Sequence, residues 1–193
     1  KKEILKIVPQ EDVSSDYEII SLNQGIICPG FIDIQVNGGG GCLLNEAPSL
    51  QSLEKICDTH AKLGTTSLLP TLISDVPEIT KAAQTCAIEA SEKNIPSFLG
   101  LHLEGPHLAT SRSGAHDKSV IKPMGKNDCL DLETLAKKIS KVLITVAPEA
   151  VPVEFVEQLT SAGVIVSLGH SDCTFAEAED LVAAGATGVT HLF

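Results

Sequence analysis

Residues Val142–Ser171 read VLITVAPEAVPVEFVEQLTSAGVIVSLGHS, and this stretch decides the fold. Val142–Ala147 is an apolar, β-branched run of strand length, and Val164–Leu168 is a second. Between them Pro152–Ala162 has helical periodicity, opened by Pro152 and followed by Gly163, a residue suited to a left-handed helix cap. Strand, helix and strand in this order make a crossover unit with parallel strands. The same alternation extends in both directions. It predicts further strands at Phe31–Asn37, Thr66–Ile73, Phe98–Glu104 and Gly188–Phe193, and further helices at Leu50–Leu63, Pro77–Lys93, Leu130–Ser140 and Phe175–Ala184. Asp75, Asp128, and Asp172 with Thr174 are start cues for the last three helices; Gly64 and Gly185 follow helices as Gly163 does.

Six strands of this kind fall short of a closed (β/α)8 barrel, which has eight and runs to about 250 residues. A doubly wound sheet would carry G-x-G-x-x-G opening a helix directly after its first strand. Here Gly38–Gly41 is an unbroken run of glycines and the next helix is expected only from Leu50. The expected fold is therefore α/β: a partial, TIM-like (β/α)8 barrel of the first six βα strands, over residues 30–193. Residues 1–29 differ. ILKIV, a polar turn at Glu11–Asp16, YEIISL and IIC predict two or three short antiparallel strands within Ile4–Ile27, part of a small β-sandwich domain that needs a partner sheet. An unclosed barrel exposes its first and last strands, so Val189, Leu192 and Phe193 are expected on an open edge and the chain is expected to associate.

The chain has 193 residues, 43% of them hydrophobic and 20% charged, which is room for one core-bearing domain and excludes disordered and coiled-coil classes. A net charge of −11 removes any general basic surface for nucleic acid or anionic lipid, so an anionic ligand needs a local site. The six cysteines form no C-x-x-C pair and read as reduced, small hydrophobes. No run approaches the roughly 18 apolar residues of a membrane span, and Lys1-Lys2-Glu3 lacks the apolar run of a signal peptide, so the expected compartment is the cytoplasm. No initiator Met is present, and the chain is expected to begin inside a longer product.

In a parallel α/β fold, ligand chemistry sits at the C-terminal ends of strands. Gln35 and Asn37 fall there, as do His102 and Glu104, Gly169-His170-Ser171, and Thr190-His191. One carboxylate and two imidazoles suit a borderline divalent metal such as Zn²⁺. Glu104 ends an apolar strand, where an unpaired carboxylate is costly, which favours a ligand or catalytic role over a structural ion pair. His170 and His191, on adjacent strands, favour the ligand reading together. His102 lies on the same side of its strand as Glu104, one layer deeper, and divides between a role supporting the ligands and a structural one. His60 is expected on a helix surface away from the site. His107 and His116 lie in the long connection Pro106–Asn127, where substrate contact and plain solvent exposure are both open.

The segments PGFIDIQVNGGGG, LGLHLEGPHL followed by SGAHD, then VSLGHS and ATGVTHLF resemble the N-acetylglucosamine-6-phosphate deacetylases of the amidohydrolase superfamily, in order and from Ile4 to Phe193. The resemblance implies metal ligands at Glu104, His170 and His191, sugar contacts at Ala115 and His116, one divalent ion, most simply Zn²⁺, and a homodimer. Many amidohydrolases carry H-x-H at the end of their first strand; Gln35 and Asn37 stand there instead, which fits a site for one metal. The resemblance also places the acid–base Asp and most phosphate contacts after Phe193. No catalytic residue is thus assigned within this chain, which is expected to be inactive alone. The implied reaction of the parent enzyme is hydrolysis of N-acetylglucosamine 6-phosphate to glucosamine 6-phosphate and acetate. Two rivals stand beside it: another amidohydrolase acting on a different amide or cyclic amide, which Gly114-Ala115-His116 disfavours, and a non-catalytic sugar-phosphate-binding fragment.

Overall fold

Apolar β-branched runs too short for helices, separated by capped helical segments, can bury both faces only in a parallel sheet flanked by helices. The chain builds that arrangement in a computed structural model describing residues 4–192. In order it contains β1 (Phe31–Val36), β2 (Gly38–Gly39), β3 (Cys42–Leu43), α1 (Leu50–Ala61), β4 (Thr65–Ile73), α2 (Pro77–Glu92), β5 (Leu101–Glu104), α3 (Lys126–Ala136), β6 (Val142–Val146), α4 (Val153–Ser161), β7 (Ile165–Leu168), α5 (Phe175–Ala183) and β8 (Gly188–Val189). β2 and β3 form a small antiparallel hairpin, and the other six strands form one sheet in the order β1-β4-β5-β6-β7-β8. All five pairings in that sheet are parallel.

Each strand pairs with the next in sequence, so the sheet winds in one direction, as a barrel does. Its curl follows from one contact. β5 and β8 are three strands apart, about 14 Å in a flat sheet at about 4.8 Å per strand. Yet Glu104 at the end of β5 meets His191, just after β8, at 2.8 Å. The sheet is therefore a half-barrel, with β1 and β8 at its two edges. Its convex side packs Leu68, Leu101, Ile144, Val146 and Val166 against Leu53, Ile56, Ala83, Leu132, Val156 and Leu159 of the helices, all in one buried cluster.

The helix starts follow local chemistry. Ser49 accepts from Ser52 N–H ahead of α1, Pro77 opens α2, and Thr174 and Glu177 exchange bonds ahead of α5. α3 starts at Lys126, four residues before the expected Leu130, because Asp128 lies inside the first turn and reaches back to Gly125 N–H at 2.9 Å. Gly64, Gly163 and Gly185 take the left-handed φ of helix caps. β8 is shorter than expected: Thr190 and His191 leave the strand in a turn, and Phe193 lies outside the described residues. Val189 and Leu192 are exposed at the open edge, as the sequence leads one to expect.

The antiparallel strands expected within Ile4–Ile27 are not formed. Residues 4–30 hold one short 3-10 turn, Gln10–Asp12, and no strand, and their apolar side chains, among them Ile7, Ile20 and Ile26, are exposed. A segment this short buries too little to stabilise a hairpin without a partner sheet, and no partner sheet exists among the described residues.

Cys57, Cys86 and Cys129 are buried, Cys42 and Cys173 half-buried, and Cys28 exposed. Burial pushes the Cys57 and Cys86 thiols up to about 11. The folded state keeps both protons where unfolded thiols, near 9.0, have lost theirs, so stability falls as pH rises from about 9 to about 11. The loss is expected to reach about 2 kcal/mol per thiol. Denaturation midpoints measured at pH 8 and pH 10.5, in the protein and in a Cys57→Ala, Cys86→Ala variant, check this; equal slopes in the two would contradict it.

Candidate metal centre

The polar layer beneath the site sets its geometry. His102 is 1% exposed, and its Nδ1–H donates to the Ile34 carbonyl at 2.9 Å. That fixes the tautomer, so Nε2 accepts from the Thr145 hydroxyl at 2.8 Å. Thr190 then donates to Thr145 at 2.8 Å and Ser167 to Thr190 at 2.7 Å. One directed chain thus ties β1, β5, β6, β7 and the residue preceding His191. Burial pushes the His102 pKa down to about 4. Both ring nitrogens are occupied, and of the two roles open from sequence the geometry supports the structural one.

Glu104 stands one layer above, 3% exposed. Oε1 takes His170 Nε2 at 2.9 Å and His191 Nε2 at 2.8 Å. The three ligand atoms lie within 4.8 Å of one another. Burial pushes the Glu104 carboxyl pKa up, but the bonds from His170 and His191 outweigh it and hold the group below the usual carboxylate range. His170 Nδ1–H donates to the Arg112 carbonyl at 2.9 Å. A neutral His170 then turns its Nε2 lone pair towards a carboxylate oxygen, so the pair closes only with a cation, a proton or a metal ion, between them. With His191 aimed at the same oxygen, the donor set of one carboxylate and two imidazoles fits a divalent ion of zinc type.

Backbone conformation delivers these rings. His170 and His191 have φ of +52° and +56°, a region that non-glycine residues seldom occupy and that clusters at functional sites. Gly105, at φ +84°, lets the chain turn directly after Glu104; a Cβ there would run into the Ser74 hydroxyl.

His116 is buried beside the cluster, its ring centroid 4.6 Å from that of His170. Ser74 N–H donates to its Nδ1 at 3.1 Å, so the neutral ring carries its proton on Nε2, 3.8 Å from Glu104 Oε2. Burial holds its pKa below the ordinary histidine range, despite the opposing charge of Glu104. His116 is thus a hydrogen-bond donor facing the cluster, with Ala115 next to it in the loop. The solvent-exposed alternative for His107 and His116 does not hold: both are buried, and His107 Nδ1 bonds the Lys122 carbonyl at 3.1 Å inside the loop. His60 is not a free surface residue either. The β2–β3 hairpin folds back onto α1, and His60 Nε2 meets the Gly38 carbonyl at 3.0 Å. Gln35 and Asn37, at the end of β1, are half-buried, and among the described residues no side-chain hydrogen bond joins them to the cluster.

Fold and site together define a segment of a TIM-like barrel with a carboxylate–imidazole cluster at the C-terminal ends of its strands. No protein-family model matches the chain. It is 36% identical over 189 residues to an N-acetylgalactosamine-6-phosphate deacetylase of Shewanella sp. (strain ANA-3), covering 98% of this chain and 48% of that protein. It is 34% identical over 186 residues to the N-acetylglucosamine-6-phosphate deacetylase of Haemophilus influenzae, covering 96% of this chain and 48% of that one. The crystal structure of N-acetylglucosamine-6-phosphate deacetylase from Pasteurella multocida matches with a TM-score of 0.87 and 36% identity, over 95% of this chain and 48% of that chain. The chain's homologues are thus amino-sugar-6-phosphate deacetylases, chiefly N-acetylglucosamine-6-phosphate deacetylases, of which it matches a part. It spans about half the length of the curated relatives it matches.

Proposed function

We propose that the protein containing this chain hydrolyses the acetamide of N-acetylglucosamine 6-phosphate, giving glucosamine 6-phosphate and acetate. The observation that carries the reading is the convergence of His170 and His191 on one oxygen of buried Glu104. These three residues would hold one divalent ion, Zn²⁺ by the character of the donor set, and such an ion supplies Lewis acidity towards an amide carbonyl. His116 donates its Nε2–H to an oxygen of the sugar, with Ala115 exposed next to it in the chain for a further contact, and Ser74 holds the ring in that tautomer. The layer from His102 to Ser167 keeps the ends of β5, β6 and β7 and the His191 turn in register. With Glu104 committed as a ligand, proton transfer falls to the Asp that the resemblance places after Phe193. The same reading carries a cytoplasmic homodimer with it. Among the described residues no helix is long and apolar enough to cross a membrane.

A second reading is favoured by the Shewanella relative, whose substrate name carries galactosamine in place of glucosamine. Acetate release by the full-length protein on both 6-phosphates separates the two. A kcat/KM at least about tenfold higher for the glucosamine compound, worth about 1.4 kcal/mol, is expected. The reverse preference would establish the galactosamine reading, and release from neither would overturn the function.

A further inference from the structure

The loop between β5 and α3 and the turn after β7 hold each other on the rim of the cluster. Ala109 N–H donates to the His170 carbonyl at 3.0 Å, and His170 Nδ1–H donates to the Arg112 carbonyl at 2.9 Å. Asp172, two residues beyond His170, accepts Arg112 Nε on one carboxylate oxygen and the Ser111 hydroxyl on the other, the latter at 2.5 Å. From the opposite flank Glu149 accepts the Ser171 hydroxyl at 2.5 Å and Asp172 N–H at 2.8 Å. His170, at φ +52°, therefore sits in a turn bonded from both sides.

The Arg112–Asp172 pair is solvent-exposed, and exposed pairs contribute little to stability. Its leverage is geometric. The Arg112 carbonyl selects the tautomer of His170 and so sends the Nε2 lone pair towards Glu104 and His191. Among the described residues no other hydrogen bond reaches His170 Nδ1. Asp172 holds the segment bearing that carbonyl through two side chains, Ser111 and Arg112. We infer that Asp172 is a positioning residue, acting through Arg112 and Ser111 to fix the His170 ring for metal. This rests on the reading of Glu104, His170 and His191 as metal ligands.

The test uses full-length protein with Co²⁺ as the probe, its affinity read by chelator competition and its geometry by the visible absorption bands. Asp172→Ala is expected to weaken Co²⁺ binding roughly 10- to 100-fold and to change the band pattern. Asp172→Asn, which keeps an oxygen acceptor for Arg112, is expected to recover most of the loss. Arg112→Ala, which releases the same segment, is expected to act in the same direction and serves if Asp172→Ala fails to fold. The thermal midpoint of the metal-free protein should stay close to that of the unmodified protein, because the pair is exposed. Glu104→Gln separates the two ideas: if it leaves Co²⁺ binding intact, the metal reading itself fails. If it abolishes binding while Asp172→Ala and Arg112→Ala keep the original affinity and spectrum, the positioning inference is overturned and the metal site stands.

Discussion

Replacing His102 by Phe is expected to destabilise the fold by about 4 kcal/mol. The imidazole is enclosed on all sides, and its loss orphans the Ile34 carbonyl and removes the acceptor for the Thr145 hydroxyl. Each unsatisfied buried group costs about 1–3 kcal/mol, and the bulkier ring adds strain in a site with no spare space. The directed chain through Thr190 and Ser167 then loses its terminus, so the damage spreads from β5 to the turn carrying His191. Urea denaturation monitored by circular dichroism measures the effect. A loss below about 1 kcal/mol would mean that the layer is satisfied by other partners and does not set the register of the ligand-bearing strands.

The second large effect concerns Glu104→Gln, and it is read with and without metal. In the metal-free protein the change takes away the charged acceptor that His170 and His191 share, and stability is expected to fall. In the presence of Zn²⁺ the unmodified protein should gain stability with ion concentration, by mass action on the folded state. The variant should lose that gain, because an amide oxygen is a far weaker ligand; an affinity loss of about 10³-fold, or about 4 kcal/mol, is expected. Thermal midpoints with and without added Zn²⁺ check both effects at once. A variant that still gains as much from Zn²⁺ as the original would place the ion elsewhere.

The parallel sheet was legible because β-branched runs and capped helices alternate from Phe31 onwards, around one glycine hairpin and one long loop, a pattern that local chemistry enforces. The ends of elements were less so. Asp128 reads as a residue ahead of a helix, yet it lies inside the first turn of α3 and caps backwards. The strands expected within Ile4–Ile27 did not form because hairpin propensity is worth little without a second sheet. At the site, Glu104, His170 and His191 were marked by polar identity at the ends of apolar strands, and the structure brings them together. The positive φ angles of His170 and His191 were not legible, since nothing in Gly-His-Ser or Thr-His-Leu distinguishes a strand end from a left-handed turn. The grip of Asp172 on Ser111 and Arg112 was missed because it joins residues 60 and 61 positions apart through a loop with no periodicity. Asp172 was legible only as a helix cue, a role that Thr174 fills.

The central claim is that Glu104, His170 and His191 form one metal site. Elemental analysis of full-length protein after exhaustive dialysis against metal-free buffer and titration with Zn²⁺ tests it most directly. The account predicts about one tightly held ion per subunit, lost in Glu104→Gln, because Gln35 and Asn37 offer no good second set of ligands. Two tightly held ions, or one that survives Glu104→Gln unchanged, would contradict it.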